Sequence, residues 1–263
     1  MILLKKDVKI LAQQVVTKTD KRIRRELKSN FFKVGKTIGI GADGTPTKYL
    51  DKRAEDIALS TIEKAGNPVN VLSEEIGFID NSSPYTFILD PVDGTRNAYR
   101  GIPFFSVCLA IGSSTLKDIW YGIVKNVATG QLYIAEKNQG AYLNNQQIYI
   151  PEVSAARPIY SISLGKNIDS LTQSISDQHI IRSLGSSSLE MCLVAHGAID
   201  GYIVGKEYLR VTDIAASTLL VREAGGCVVD KYGHDLDMPL TLEARTSLIT
   251  GVNSSIVESI LHS

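Results

Sequence analysis

Two acidic turns hold most of the chemistry this sequence offers. Asp90-Pro91-Val92-Asp93-Gly94-Thr95 sets two carboxylates and a hydroxyl at the end of an apolar run, residues 86–89, which reads as a buried strand. Proline and glycine should stop pairing and force a turn there, so the acids are expected to crown the strand end. Carboxylate oxygens are the ligands that hard cations such as magnesium take. A helix or turn just beyond supplies backbone N–H groups that can hold an anion. A solvated turn has the same letters, and the motif alone does not separate the two readings. Glu74-Glu75 follows a second short apolar run, residues 69–73. Strand side chains alternate faces, so these glutamates need separate roles unless the strand has already ended. Asp51 lies beside Leu50 in a helical stretch and Asp213 opens another; an ordinary helix charge and a helix cap explain them equally well. Leu184-Gly185-Ser186-Ser187-Ser188 also precedes a helix, where it can receive an anion or simply cap.

The elements that must position these residues fall into two groups. Val8, Leu11, Val15, Ile23 and Leu27 lie on one side of a first, packing helix, and its basic cluster, residues 21–25, reads as a solvated outer face. Residues 35–44 hold four glycines and are expected to form a mobile loop. Gly39, Gly41 and Gly44 match a dinucleotide fingerprint in letters only, because no helix begins within it. Thr45 is then the expected N-cap and Pro46 the first position of a helix with Leu50, Ala54, Ile57, Ala58, Thr61 and Ala65 on its apolar face. After residues 69–73 and 86–89, three apolar runs at 104–111, 119–125 and 131–136 have the short spacings of antiparallel neighbours, and Asn144-Asn145 reads as a turn. This half, residues 1–150, is α+β. The polar, proline-flanked stretch 151–158 marks the expected boundary. Beyond it strands at 159–164, 202–204, 227–229 and 246–250 alternate with helices at 187–196 and 213–224, an α/β order, and Asn253 caps a terminal helix.

Bulk properties narrow the partners. Lysine plus arginine and aspartate plus glutamate both number 28 in 263 residues, so no net charge directs the chain to nucleic acid or an anionic membrane surface. The expected partner is small. Cys108, Cys192 and Cys227 are odd in number, far apart and in apolar surroundings, which suits reduced thiols in a cytoplasm. The N-terminus turns charged at Lys5 and no long apolar run follows, so a soluble, unprocessed, cytoplasmic chain is expected.

Taken together, Glu74-Glu75, Asp90-Pro91-Val92-Asp93-Gly94-Thr95 and Asp213-Ile214-Ala215-Ala216, with Glu223-Ala224-Gly225-Gly226 downstream, resemble the signatures of the inositol monophosphatase and fructose-1,6-bisphosphatase superfamily. The stretch 41–48 with Asp51 resembles its archaeal-type branch, whose members often act on both substrates. The resemblance implies a layered αβαβα sandwich of the sugar phosphatase type, with sub-domains 1–150 and 151–263 and the active site in the cleft between them.

By the same resemblance, Glu74, Asp90, Asp93, Asp213 and the carbonyl of Val92 would bind two or three magnesium ions, with manganese as a substitute and Asp43 as a further ligand. Four carboxylates gathered without metal would raise one another's pKa values, so their approach makes sense if cations join them. Thr95 and Asp51 would orient and deprotonate the attacking water, with Glu75 assisting. Asp93, Gly94 and Thr95 would cradle the phosphate, and Gly185, Ser186, Ser187, Arg182, Lys206 and Arg210 would line the sugar pocket. Basic residues there suit a second phosphate better than a neutral polyol, and inositol-specialised members carry an acid at the position of Lys206. The resemblance therefore implies fructose 1,6-bisphosphate and inositol 1-phosphate as substrates, inhibition by lithium, and a homodimer. A 3'(2'),5'-bisphosphate nucleotidase and a non-catalytic anion sensor are the alternatives. Other phosphatase chemistries lack their spacing: no cysteine has an arginine six residues on, Asp90 and Asp93 do not form Asp-x-Asp, and the four histidines show no zinc-ligand spacing.

Overall fold

The computed structural model describes residues 4–150, 158–163, 173–175 and 179–262. Helix α1, Lys5–Ser29, buries Val8, Leu11, Ala12, Val15, Val16 and Ile23 along one side, as a single core-facing stripe requires. Arg22 donates to Glu26, which is buried, and Arg24 to Asp20, each one turn away on the same helix. After the short α2, Phe31–Val34, comes α3, Tyr49–Lys64, which packs on α1.

Both helices cover one face of an eight-stranded sheet. Its strands are β3 (Asn70–Ser73), β4 (Gly77–Ile79), β5 (Thr86–Asp93), β6 (Ser106–Gly112), β7 (Tyr121–Asn126), β8 (Leu132–Glu136), β9 (Gly140–Leu143) and β10 (Gln146–Ile148). They run in the order β10-β9-β8-β7-β6-β5-β3-β4. Alternation divides β5: Phe87 and Leu89 pack toward α1 and α3, while Ile88 joins the cluster on the opposite face. Short α4, Thr95–Arg100, follows β5. Between β9 and β10, Asn144 and Asn145 both take positive φ, the expected hairpin turn.

A second sheet is built from β11 (Ile159–Ile162), β12 (Ile180–Arg182), β13 (Gly201–Leu209), β14 (Cys227–Val229) and β15 (Thr246–Gly251) in the order β12-β11-β13-β15-β14. Between the sheets lie α5, Ser187–Ala195, and α6, Val211–Glu223. α6 is buried continuously from Val211 to Val221, as a helix covered on all sides must be. Tyr202 and Val204 face these helices, while Ile203 faces α7, Ser254–Leu261. The result is the expected five-layer αβαβα arrangement. Asn253 caps α7 by accepting from Ile256 N at 3.0 Å, as its sequence indicates.

Three local expectations are corrected. Residues 35–44 are not an open loop: Thr37–Ile40 (β1) pairs antiparallel with Pro46–Lys48 (β2). Thr45 therefore does not cap α3 and Pro46 is not its first residue; Lys48 is the cap, with Asp51 accepting from its N–H. Pro91 does not end β5 either, because pairing with β6 resumes at Asp93 opposite Ser106 after an irregularity between Asp90 and Asp93. The three cysteines are free thiols. No described helix is long and apolar enough to cross a membrane. The boundary expected at 151–158 lies outside the described residues, apart from Pro158.

Candidate active site

Strand register brings the first two acids together. β3 and β5 are parallel, with Ser73 opposite Leu89, so the residues immediately beyond them, Glu74 and Asp90, emerge side by side. β3 ends at Ser73 and Glu74 and Glu75 lie in a turn, which frees them from strict alternation. α6 packs against β5 and carries Asp213 in its first turn. Carboxylate oxygens of Glu74, Asp90 and Asp213 lie within 4.8 Å of one another. Burial raises the pKa of Glu74 and of Asp90, and their acidic neighbours raise both further. An all-oxygen donor set whose members repel one another is what a hard divalent cation relieves, so these residues fit such an ion.

Asp93 stands outside this trio and is held by the second half of the chain. Its Oδ2 accepts from Ser186 Oγ at 2.6 Å, from Ser188 N at 2.9 Å and from Ser188 Oγ in a short contact. Ser106 Oγ, beside it, shares a hydrogen bond with Ser188 Oγ at 2.8 Å. Burial raises the Asp93 pKa against the pull of these donors. Gly94 follows with φ 85°, and a Cβ there would lie 3.1 Å from the carbonyl oxygens of Gly185 and Phe104. The side-chain amide of Asn97 donates to Leu184 O at 2.7 Å, and buried Glu190 accepts from Leu184 N. The turn after β5 and the segment before α5 are therefore locked face to face.

Thr95 Oγ is 2.8 Å from both Asp51 Oδ1 and Val92 O. One proton thus serves two acceptors. Desolvation pushes the Asp51 carboxyl up to about 6, with the Thr95 hydrogen bond opposing it. One helical turn further along α3, fully buried Glu55 accepts from Ile76 N at 3.1 Å and so braces the Glu74-Glu75 turn. On its other side that turn meets the β1–β2 hairpin, where Ala42 N and Asp43 N donate to the carbonyls of Glu75 and Glu74. Burial pushes Glu75 up to about 7, although Thr47 donates to it. Glu74 receives Thr212 Oγ at 2.9 Å.

Arg210 is placed differently from its expected role as a sugar-pocket residue. Its guanidinium pairs with Asp43, with Glu74 at 2.9 Å and with Asp213 at 3.0 Å. Burial opposes its charge, but Asp213 and Glu74 outweigh that and hold it protonated. It bridges the hairpin tip to the acidic trio.

Part of this constellation borders a cleft of about 720 Å³, whose lining does not include Asp43, Asp93, Gly94 or Asp213. Asp51, Glu74, Glu75, Asp90, Val92, Thr95 and Arg210 line it, together with Lys48, Arg96, Asn97, Tyr99 and Arg100. Those last five were missed in sequence, although Arg96 and Asn97 directly follow Thr95. Arg182, Gly185, Ser186, Ser187 and Lys206 do not line it. Ser186 is buried against Asp93, Ser187 Oγ bonds with Tyr202 OH at 3.0 Å, and exposed Arg182 donates to its neighbour's carbonyl. A missed support with a sequence signal is Glu55, four residues after Asp51 on the same helix face; Ser188, in the stretch read as either anion site or cap, instead holds Asp93.

A family model described as the inositol monophosphatase family matches residues 4–262. A fructose-1,6-bisphosphatase/inositol-1-monophosphatase of Methanothermobacter thermautotrophicus is 40% identical over 247 residues, covering 86% of each chain. A bifunctional NADP phosphatase/NAD kinase of Methanococcus maripaludis is 39% identical over 82% of this chain and 42% of that longer protein. A solved structure from Pyrococcus horikoshii, described as having similarities for inositol-1 monophosphatase, superposes with a TM-score of 0.86 at 35% identity over 98% of both chains.

Proposed function

Since the chain belongs to the inositol monophosphatase family, we propose that it is a magnesium-dependent phosphatase hydrolysing fructose 1,6-bisphosphate and inositol 1-phosphate. The observation that carries this reading is the Glu74, Asp90 and Asp213 trio, of which Glu74 and Asp90 line one cleft with the hydrogen-bonded Thr95–Asp51 pair. Glu74, Asp90 and Asp213 would hold the cation, and the second oxygen of Asp93, the Val92 carbonyl and Asp43 would be further ligands. A bound divalent ion supplies Lewis acidity, lowering the pKa of water and neutralising the departing oxygen.

The chain's own groups do the rest. Gly94 and Thr95 open α4, whose first N–H groups lack intrahelical acceptors and can hold phosphate oxygens. Thr95 Oγ accepts the proton of the attacking water as its own passes to Asp51, and Glu75 assists from the neighbouring turn. A carboxyl near 6 is ionised at neutral pH yet basic enough to take a proton. No side chain needs to be phosphorylated. The protein works in the cytoplasm as a homodimer.

Phosphate release from fructose 1,6-bisphosphate, inositol 1-phosphate and adenosine 3',5'-bisphosphate, each with magnesium or EDTA, tests this. Magnesium-dependent turnover of the first two is expected. Preference for the nucleotide, or binding without turnover, would overturn it.

A further inference from the structure

Arg210 sits on the acidic floor formed by Glu74, Asp90 and Asp213 much as a bound cation would. Its Nη1 lies 2.9 Å from Glu74 Oε2 and also pairs with Asp43. Nη2 is 3.0 Å from Asp213 Oδ1, and Nε is 3.3 Å from Asp213 Oδ2. The backbone N–H of Arg210 reaches that same Oδ2 at 2.8 Å, and Thr212 Oγ donates to the other oxygen of Glu74. Every carboxylate oxygen of Glu74 and Asp213 is therefore engaged before any ion arrives. Asp90 differs: its Oδ1 accepts from Val92 N at 2.9 Å, and no bond to Arg210 is found among the described residues. The pairing is sheltered, with the Arg210 side chain 20% exposed and that of Asp43 1%, so salt screens it little.

We propose that Arg210 is a resident counter-cation that competes with the metal. Its guanidinium neutralises Glu74, Asp213 and Asp43 in the metal-free protein, gives up Glu74 and Asp213 when a divalent ion binds, and so sets the ion concentration at which the site fills. This rests on the phosphatase reading above, which requires the ion. A hard divalent cation needs as ligands the oxygens that the guanidinium holds. A carboxylate oxygen has lone pairs for two partners, but two cations on the same carboxylates repel, and a site sheltered from water weakens that repulsion far less than bulk solvent does. The exchange asks for movement of the side chain alone, because the backbone of Arg210 is the N-cap of α6 and its side chain borders the open cleft. One residue thus stabilises the empty site and opposes its filling. An arginine that merely held the acids in place would act in the opposite direction, and its loss would loosen ion binding.

The test is calorimetric titration of the full chain with magnesium, together with Tm in EDTA and in saturating magnesium, for the wild type, Arg210→Gln and Arg210→Lys. Arg210→Gln removes the charge, and its magnesium Kd should fall about fivefold or more. Its Tm in EDTA should drop below that of the wild type, and its Tm gain on adding magnesium should exceed the wild-type gain. Arg210→Lys keeps a charge without the fork that grips both oxygens of Asp213; its Kd should lie between the other two, which also covers misfolding of the neutral variant. A wild type that binds magnesium, with a Kd that rises or stays within about twofold of it in whichever variants fold, overturns the competition alone. A wild type whose isotherm and Tm both ignore magnesium overturns the phosphatase reading and the competition with it.

Discussion

Asp93 gives one of its two oxygens to Ser186, Ser188 and the α5 backbone, so only the other is left for a cation. Groups that orient a metal ligand usually affect affinity by about 10–100-fold. Ser188→Ala should weaken magnesium binding by that factor in calorimetric titration, and an unchanged isotherm would remove Asp93 from the ligand set. Asp51 is tested through the rate instead. Asp51→Asn should lower kcat by about 10²–10⁴ with KM little altered. The base must be deprotonated, so in the wild type kcat is lost as pH falls through about 6, and a cation nearby moves that limb to lower pH. The Asn variant should show no such limb; if it keeps the wild-type profile, the proton goes elsewhere.

At the scale of elements, β5 and its two acids were legible because an apolar run and a Pro/Gly pair are local signals. So were α1, α6 and the cap of α7. The β1–β2 hairpin was not, because its glycines read as mobility while its partners are remote: the carbonyls of Glu74 and Glu75 hold its tip, and Arg210 reaches Asp43 across 167 positions. The same long-range pairing turned Arg210 from an apparent sugar contact into an internal counter-ion. Asp213, which read as either cap or ligand, is both: it accepts from Arg210 N and joins the trio. Register explains why adjacent strand ends meet, and register cannot be read from one strand at a time. Gly94 tests the seam between the turn after β5 and the segment before α5. Gly94→Ala meets both a positive φ and two carbonyl oxygens at 3.1 Å, and should cost about 1–3 kcal/mol in urea denaturation. Because the turn carries Asp93 and Thr95, turnover should fall as well; full stability with full activity would show that the turn can relax.

For the whole molecule, the acidic floor is a source of instability that a cation converts into stability. Carboxyls raised by burial bind protons more tightly folded than unfolded, so stability falls as pH rises through the interval between the two values. Asp51 spans 3.8 to about 6 and Glu75 4.5 to about 7, with burial the leading cause in each. Glu74 and Asp90 shift the same way. Asp51 alone accounts for about 3 kcal/mol of this loss at neutral pH. In EDTA, Tm should therefore fall as pH rises from about 5 to about 7.5. Magnesium should reverse that loss, because it favours the charged carboxylates and adds about 2.7 kcal/mol when free ion exceeds its Kd a hundredfold. The effect should be largest at the alkaline end, where the carboxylates are ionised and repel most. A Tm that climbs across this range in EDTA and ignores magnesium would mean that Glu74, Asp90 and Asp213 do not share one ion.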